Sequence, residues 1–156
     1  LLKALSYDES FLGNFNGKFK IKFDELNNKL IKQGEIDFRI NEKKIILDKA
    51  KFKLDKIGYI DSKISFVENN EDIKFKSSNI LYVENYIEFA KIFQISSKKI
   101  KNIKLINFDL VKSFGESDFI ISNVKINGLD NDTKSAEIFI IKNIQNLRSY
   151  IRKVID

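Results

Sequence analysis

Strict alternation marks the run Phe15-Asn16-Gly17-Lys18-Phe19-Lys20-Ile21-Lys22-Phe23-Asp24, in which every second residue is polar or charged. Successive side chains of a β-strand point to opposite sides of the sheet, whereas one face of a helix repeats every three or four residues. The period of two therefore predicts a strand with one apolar face and one charged face, which is typical of an antiparallel sheet with one solvated side.

The same alternation returns four more times before residue 77. It predicts strands over residues 36–40, 45–54 and 60–66 and a short fifth strand over 73–76, separated by polar turns. In the 45–54 run, Ile46, Ala50, Phe52 and Leu54 are expected on one face, with Asp48 as the single charged residue among them. Strands joined by short polar turns predict an antiparallel meander.

Two helices are expected outside this meander. Asn85 and Glu88 have capping-box spacing, and the residues that follow form one apolar stripe: Tyr86, Phe89, Ala90 and Phe93. Strand patterning resumes at residues 106–110, 119–126 and 136–141. A last helix, capped by Asn143, carries its apolar residues on one side: Ile144, Leu147, Ile151 and Ile155.

These patterns predict a mainly β fold. We expect a curved antiparallel β-meander sheet, groove-like or arranged as an open sandwich or barrel, with one short internal helix and a C-terminal helix. No Pro and no Gly/Ser-rich linker interrupts the pattern, so residues 1–156 are interpreted as a single β-rich domain or repeat unit. The chain contains no Met and begins with Leu1, so we expect it to be a fragment of a longer protein.

Composition excludes most familiar active sites. The 156 residues include no Cys and no His, which removes thiol nucleophiles, imidazole bases, Cys/His zinc sites and Ser-His-Asp triads. The run from Gly13 to Lys18 has the wrong glycine spacing for a phosphate loop, and the run from Asp130 to Ile141 lacks the Gly and the Glu of a calcium loop. We therefore predict no catalytic residue, no metal, no cofactor and no enzymatic activity.

The formal net charge of +6 allows two interpretations. The positive charge could bind a nucleic acid or an anionic membrane surface, or it could simply keep the polar face of the sheet solvated. Proteins that bind single-stranded nucleic acids place aromatic rings on the same exposed face as their basic residues, whereas here Phe and Lys alternate toward opposite faces. No nucleic-acid partner is expected on this ground.

The pattern as a whole resembles the AsmA-like family, the YhdP- and TamB-type bacterial envelope proteins. The resemblance lies in Gly34-Glu35-Ile36-Asp37-Phe38-Arg39-Ile40 and in the run from Ala50 to Gly58, which follow the family's recurring strand segments. The strand-to-helix interruption from Asn79 to Ile95, and Glu137 to Asn143 before the terminal helix, are similar to the family's C-terminal region. The similarity extends from Gly17 to Asp156.

The resemblance implies a periplasmic protein, anchored to the bacterial inner membrane through a segment outside this fragment, that carries phospholipids between the inner and outer membranes along a hydrophobic groove. It implies three kinds of partner: a phospholipid or other acyl-chain ligand, the remainder of the same longer chain, and other envelope proteins. The candidate lipid-binding residues are the apolar side chains of the first five strands: Phe19, Ile21, Phe23, Ile36, Phe38, Ile40, Phe52, Leu54, Ile64, Phe66 and Phe75.

Other interpretations stay open. The same inward Phe and Ile side chains would also fill an ordinary closed sandwich core. A purely structural or assembly module of the cell envelope, pairing through its strand edges, is the main functional alternative. A basic surface that binds nucleic acid or anionic membranes is the other.

Overall fold

A computed structural model describes residues 16–24, 30–41, 44–69, 72–113, 117–128 and 139–155. Its eight antiparallel strands form one open sheet in which neighbours in sequence are neighbours in space. The strands are β1 (Gly17–Phe23), β2 (Ile31–Asn41), β3 (Lys44–Leu54), β4 (Gly58–Asn69), β5 (Asp72–Val83), β6 (Leu105–Ser113), β7 (Phe119–Ile126) and β8 (Phe139–Ile141). The helices are α1 (Tyr86–Phe93), α2 (Ser97–Ile100) and α3 (Ile144–Ile155). The predicted β-meander with an internal and a C-terminal helix is confirmed, and the one-turn α2 is an addition.

The pairing register of the strands shows which residues share a side of the sheet. Phe19 lies opposite Phe38, and Lys20 lies opposite Asp37 one residue further on. Residues directly opposed across antiparallel strands share a face, so the apolar positions of successive strands are continuous from β1 to β7. We call the side that carries Phe19, Phe38 and their cross-strand partners the inner face, and the side that carries Lys20 and Asp37 the outer face.

A β-bulge in β3 changes which side chains of one segment lie on the inner face, and the prediction for that segment is corrected accordingly. Asp37 lies opposite Lys49 but Phe38 lies opposite Leu47, which leaves Asp48 as an extra residue in the strand. The extra residue shifts the alternation by one position, so Leu47 rather than Ile46 shares the inner face with Phe38. Ile46 is 37% exposed, and the prediction that it shares a face with Ala50 is wrong.

Strand β5 is also longer than its pattern predicts. It continues from Asp72 to Val83 and pairs along its whole length with β4. The apolar alternation stops at Ser77 because polar residues occupy two inner-face positions, Ser77 and Asn79, and both side chains are buried. Hydrogen bonds between these side chains satisfy them within the sheet, so the strand does not need to end there.

The helices cover one end of the inner face. In α1, the side chain of Asn85 accepts hydrogen bonds from the backbone N–H groups of Ile87 and Glu88, which confirms the predicted cap. The predicted stripe is inward, with Phe89, Ala90 and Phe93 buried. These side chains join the core beneath the helices, together with Leu54, Ile57, Leu81, Ile95, Ile100, Ile103, Ile106, Ile121, Val124, Ile141, Tyr150 and Val154.

Helix α3 begins at the predicted cap. Asn143 Oδ1 accepts hydrogen bonds from the backbone N–H groups of Gln145 and Asn146, each at 3.0 Å. The most buried side chains of α3 are Tyr150 and Val154, one helical turn apart, whereas the predicted Leu147, Ile151 and Ile155 pack beside them. Within the described ranges, no helix is both long and apolar enough to span a membrane.

Candidate functional site

Beyond the helices, the inner face lines an open cavity of about 590 Å³. This volume falls within the range of about 300–1,000 Å³ that small-molecule sites occupy. The lining residues come from seven strands: Ile21, Ile36, Phe38, Leu47, Phe52, Ile60, Ser62, Ile64, Phe66, Phe75, Ser77, Asn79, Phe108, Leu110 and Phe119. We call this concavity the groove.

Curvature of the sheet is what brings these strands around one cavity. Neighbouring strands lie about 4.8 Å apart, so β1 and β7 would be about 29 Å apart across a flat sheet. Ile21 on β1 and Phe119 on β7 nevertheless line the same cavity. The sheet is therefore concave on its inner face, and the groove follows the concavity across the strands.

The groove is chemically uniform except at one point. All of its lining side chains are hydrophobic apart from Ser62, Ser77 and Asn79. The Ser62 hydroxyl donates to Asn79 Oδ1 at 2.7 Å, and Asn79 Nδ2 donates to Ser77 Oγ at 2.9 Å. A further hydrogen bond runs from Asn79 Nδ2 to the carbonyl oxygen of Phe108 at 3.2 Å. The three polar side chains thus bond to one another and to the backbone, which leaves a neutral, largely apolar surface.

Seven of the eleven predicted lipid-binding residues line the groove. They are Ile21, Ile36, Phe38, Phe52, Ile64, Phe66 and Phe75. Two others extend its surface toward the edge of the sheet: the ring of Phe19 stacks on Phe38 with centroids 5.2 Å apart, and the ring of Phe23 lies 6.3 Å from that of Phe52. The last two are elsewhere, because Leu54 is buried in the core beneath the helices and Ile40 is buried outside the cavity.

Five hydrophobic lining residues are absent from the predicted set. Leu47 is missing because of the bulge at Asp48. Ile60, Phe108, Leu110 and Phe119 lie on strands whose alternation is visible in the sequence, and register places the β6 residues opposite Ser77 and Asn79. The signal for these four residues is therefore present in the sequence. The expectation that the first five strands form the lining excludes Phe108, Leu110 and Phe119, whereas Ile60 on β4 is simply missing from the predicted set.

Part of the groove wall is open to solvent. Ile21 is 40% exposed and Phe119 is 38% exposed, although both are large apolar side chains. Farther in, the rings of Phe66 and Phe75 meet edge to face across β4 and β5, with centroids 5.9 Å apart. Aromatic pairs of this kind stabilise neighbouring strands, so the groove has a packed floor and partly exposed ends.

The outer face has a different character. Lys20 Nζ lies 3.3 Å from Asp37 Oδ1, and Arg39 Nε donates to Asp48 Oδ1 at 2.9 Å. At the helix end of the same face, the rings of Tyr59 and Tyr82 stack with centroids 4.5 Å apart, and the ammonium of Lys51 lies 4.0 Å from the centroid of the Tyr59 ring. Lysines of this face are thus interleaved with carboxylates and aromatic rings.

Other chemistry is sparse in the part of the chain that the structure describes. No group of three or more carboxylates there is arranged to hold a metal ion. Residues 130–132 of the polar turn and residues 13–15 of the glycine-containing run lie outside the described residues. Comparison with protein-family models, with curated proteins and with solved structures finds no match to this chain.

Proposed function

We propose that this chain is a non-catalytic lipid-binding segment whose groove holds an acyl chain. The observation that carries the proposal is the open cavity of about 590 Å³ on the inner face, hydrophobic along seven strands. Large apolar surfaces left open on a soluble fold mark binding sites or interfaces. An acyl chain fits this surface because it needs no directional partner.

The physical driving force is the removal of methylenes from water. Each buried CH₂ contributes about 0.8 kcal/mol, so ten buried methylenes contribute about 8 kcal/mol before the entropic costs of binding are subtracted. The polar trio Ser62, Ser77 and Asn79 does not oppose this, since its hydrogen bonds are made within the protein. The affinity for an acyl chain therefore comes from the apolar area that the groove buries, and binding needs no catalytic group.

The sequence resemblance to AsmA-like proteins suggests a place for this activity. On that basis we propose that the chain belongs to a longer envelope protein and helps phospholipids to move between the inner and outer membranes. A largely apolar concavity running across the strands suits such a role, because an acyl chain can slide along it without breaking directional contacts.

Lipid capture provides the test. The purified chain is incubated with vesicles of phosphatidylethanolamine and phosphatidylglycerol, re-isolated by size exclusion and weighed by native mass spectrometry. Phe66→Asp places a charge on the groove floor. Val67→Asp is the matched control, because Val67 is the next residue of the same strand and pairs with Lys74 on the outer face.

We expect bound phospholipid on the unmodified chain and on Val67→Asp, and its loss from Phe66→Asp, with unchanged circular dichroism for all three. A lipid-free unmodified chain would refute the proposal and favour the structural or assembly interpretation. Equal retention or equal loss of lipid by the two Asp variants would also refute it, since binding would then not involve the groove.

A further inference from the structure

One lysine among the described residues lies beside the lining of the groove. Lys112 on β6 lies directly opposite Phe75, one of the lining residues, so it belongs to the inner face. Its ammonium lies 4.5 Å from the centroid of the Phe119 ring, another lining residue. A cation over an aromatic face is held there by the ring quadrupole, and the charge is thereby kept beside the apolar surface.

This position is unusual for the sheet. Among the described side chains that line the cavity or pair directly with its lining residues, Lys112 is the only charged one. Neighbouring lysines such as Lys74 and Lys76 are on the outer face, because they alternate with the inward Phe75 and Ser77. A lysine among these residues therefore departs from the uncharged character of the groove and its immediate border.

We infer that Lys112 binds the anionic headgroup of an amphiphile whose acyl chain lies in the groove. The inference rests on the proposed function and adds the headgroup chemistry: a carboxylate or a phosphate joined to an acyl chain. Charge complementarity supports it, since a neutral, largely apolar groove with an ammonium beside its lining matches a ligand with one apolar tail and one oxyanion.

The dimensions of the groove agree with this ligand. From β6, which carries Lys112, to β1, which carries Ile21, the strand spacing gives a path of about 24 Å. The acyl chains of one leaflet occupy about half of a hydrocarbon core of about 30 Å. A tail anchored by its headgroup at Lys112 therefore fits along the lining toward β1.

The test compares ligands that share a tail and differ in headgroup. Displacement of the neutral dye Nile red from the full chain is titrated with hexadecanoate, hexadecyl phosphate and hexadecanol, all below their aggregation concentrations. Inorganic phosphate alone is a fourth titrant that separates a lipid headgroup from a free anion. The variants are Lys112→Gln, Lys112→Arg and the outer-face control Lys76→Gln.

We expect both anionic amphiphiles to bind the unmodified chain more tightly than hexadecanol, and Lys112→Gln to weaken them about tenfold while leaving hexadecanol unchanged. Lys112→Arg and Lys76→Gln should keep the preference, and inorganic phosphate should displace no dye.

Three results would overturn the inference alone: equal affinity of the unmodified chain for anionic and neutral ligands, an equal effect of Lys112→Gln and Lys76→Gln, or an equal loss of hexadecanol and hexadecanoate binding in Lys112→Gln. Failure of every amphiphile to bind the unmodified chain would instead remove the proposed function itself, and the inference with it.

Discussion

The hydroxyl of Ser62 donates to Oδ1 of Asn79 at 2.7 Å across the β4–β5 pair, in the middle of an otherwise apolar face. The amide nitrogen of the same Asn79 reaches the carbonyl oxygen of Phe108 on β6 at 3.2 Å. One side chain thus connects three strands at the floor of the groove. Buried polar groups are tolerated only when they are hydrogen-bonded, so this small network allows polar side chains to lie within an apolar face.

Removing this amide should destabilise the fold. Asn79→Ala leaves the Ser62 and Ser77 hydroxyls without their shared partner, and we expect the free energy of unfolding to fall by about 1–3 kcal/mol in urea titrations. Ser78→Ala, at an exposed outer-face position of the same strand, should change it by less than about 0.5 kcal/mol. A double-mutant cycle with Ser62→Ala should give a coupling energy of at least about 0.5 kcal/mol. An Asn79→Ala variant as stable as Ser78→Ala would contradict this account.

The bulge at Asp48 makes a prediction about two adjacent residues. Leu47 lines the groove and Ile46 is partly exposed on the outer face. Leu47→Ser should therefore weaken hexadecanoate binding in the dye-displacement assay, because it removes apolar contact area, whereas Ile46→Ser should leave binding unchanged. The reverse result would mean that β3 keeps unbroken alternation and has no bulge at this position.

Much of this architecture is readable from the sequence. The alternation in residues 17–23 predicts a half-buried strand because burial of one face selects for a period of two, and the caps at Asn85 and Asn143 have a direct hydrogen-bonding cause. Short turns then favour the meander order that the sheet adopts.

The parts that escaped prediction depend on contacts between distant residues. A bulge cannot be located from alternation alone, since either Ile46 or Leu47 could face inward until the pairing with β2 selects one. The length of β5 depends on partners that are distant in sequence, such as Asn79 and Phe108, which are 29 residues apart. The alternation predicted for residues 106–110 stops short of Lys112, and the pairing of β5 with a longer β6 is what places this lysine on the apolar face.

Acid should weaken one contact on helix α1. Lys91 Nζ donates to Glu88 Oε1 at 2.6 Å, and this hydrogen bond lowers the pKa of the Glu88 carboxyl below its ordinary value, with the nearby charges of Lys91 and Lys56 acting in the same direction. A carboxyl whose pKa is lower in the folded state stabilises that state above its unfolded pKa, and the contribution is lost as the pH falls through the folded pKa.

Lys91→Met should therefore raise the pKa of Glu88 toward its ordinary value in an NMR titration of the side-chain carboxyl. Lys56 still acts in this variant, so the recovery should be incomplete. Lys98→Met, on α2, serves as the control and should leave the pKa of the Glu88 carboxyl unchanged. An unchanged pKa in Lys91→Met would show that the ion pair is not maintained in solution.

Phe23 and Gly34 offer the sharpest test of how β1 joins the sheet. The two residues are directly opposed, and a Cβ at position 34 would lie 2.2 Å from Cζ of Phe23, so the ring occupies the space above the glycine. Valine is intrinsically favoured over glycine in strands, yet Gly34→Val should lower the free energy of unfolding by about 1–3 kcal/mol because the ring must move. Faster amide hydrogen exchange should be confined to β1 and its pairing with β2.

The double variant Phe23→Ala with Gly34→Val removes the clash. The summed effects of the two single variants should therefore exceed the loss of unfolding free energy measured for the double variant by at least about 0.5 kcal/mol. Strict additivity would mean that the ring of Phe23 does not pack on Gly34.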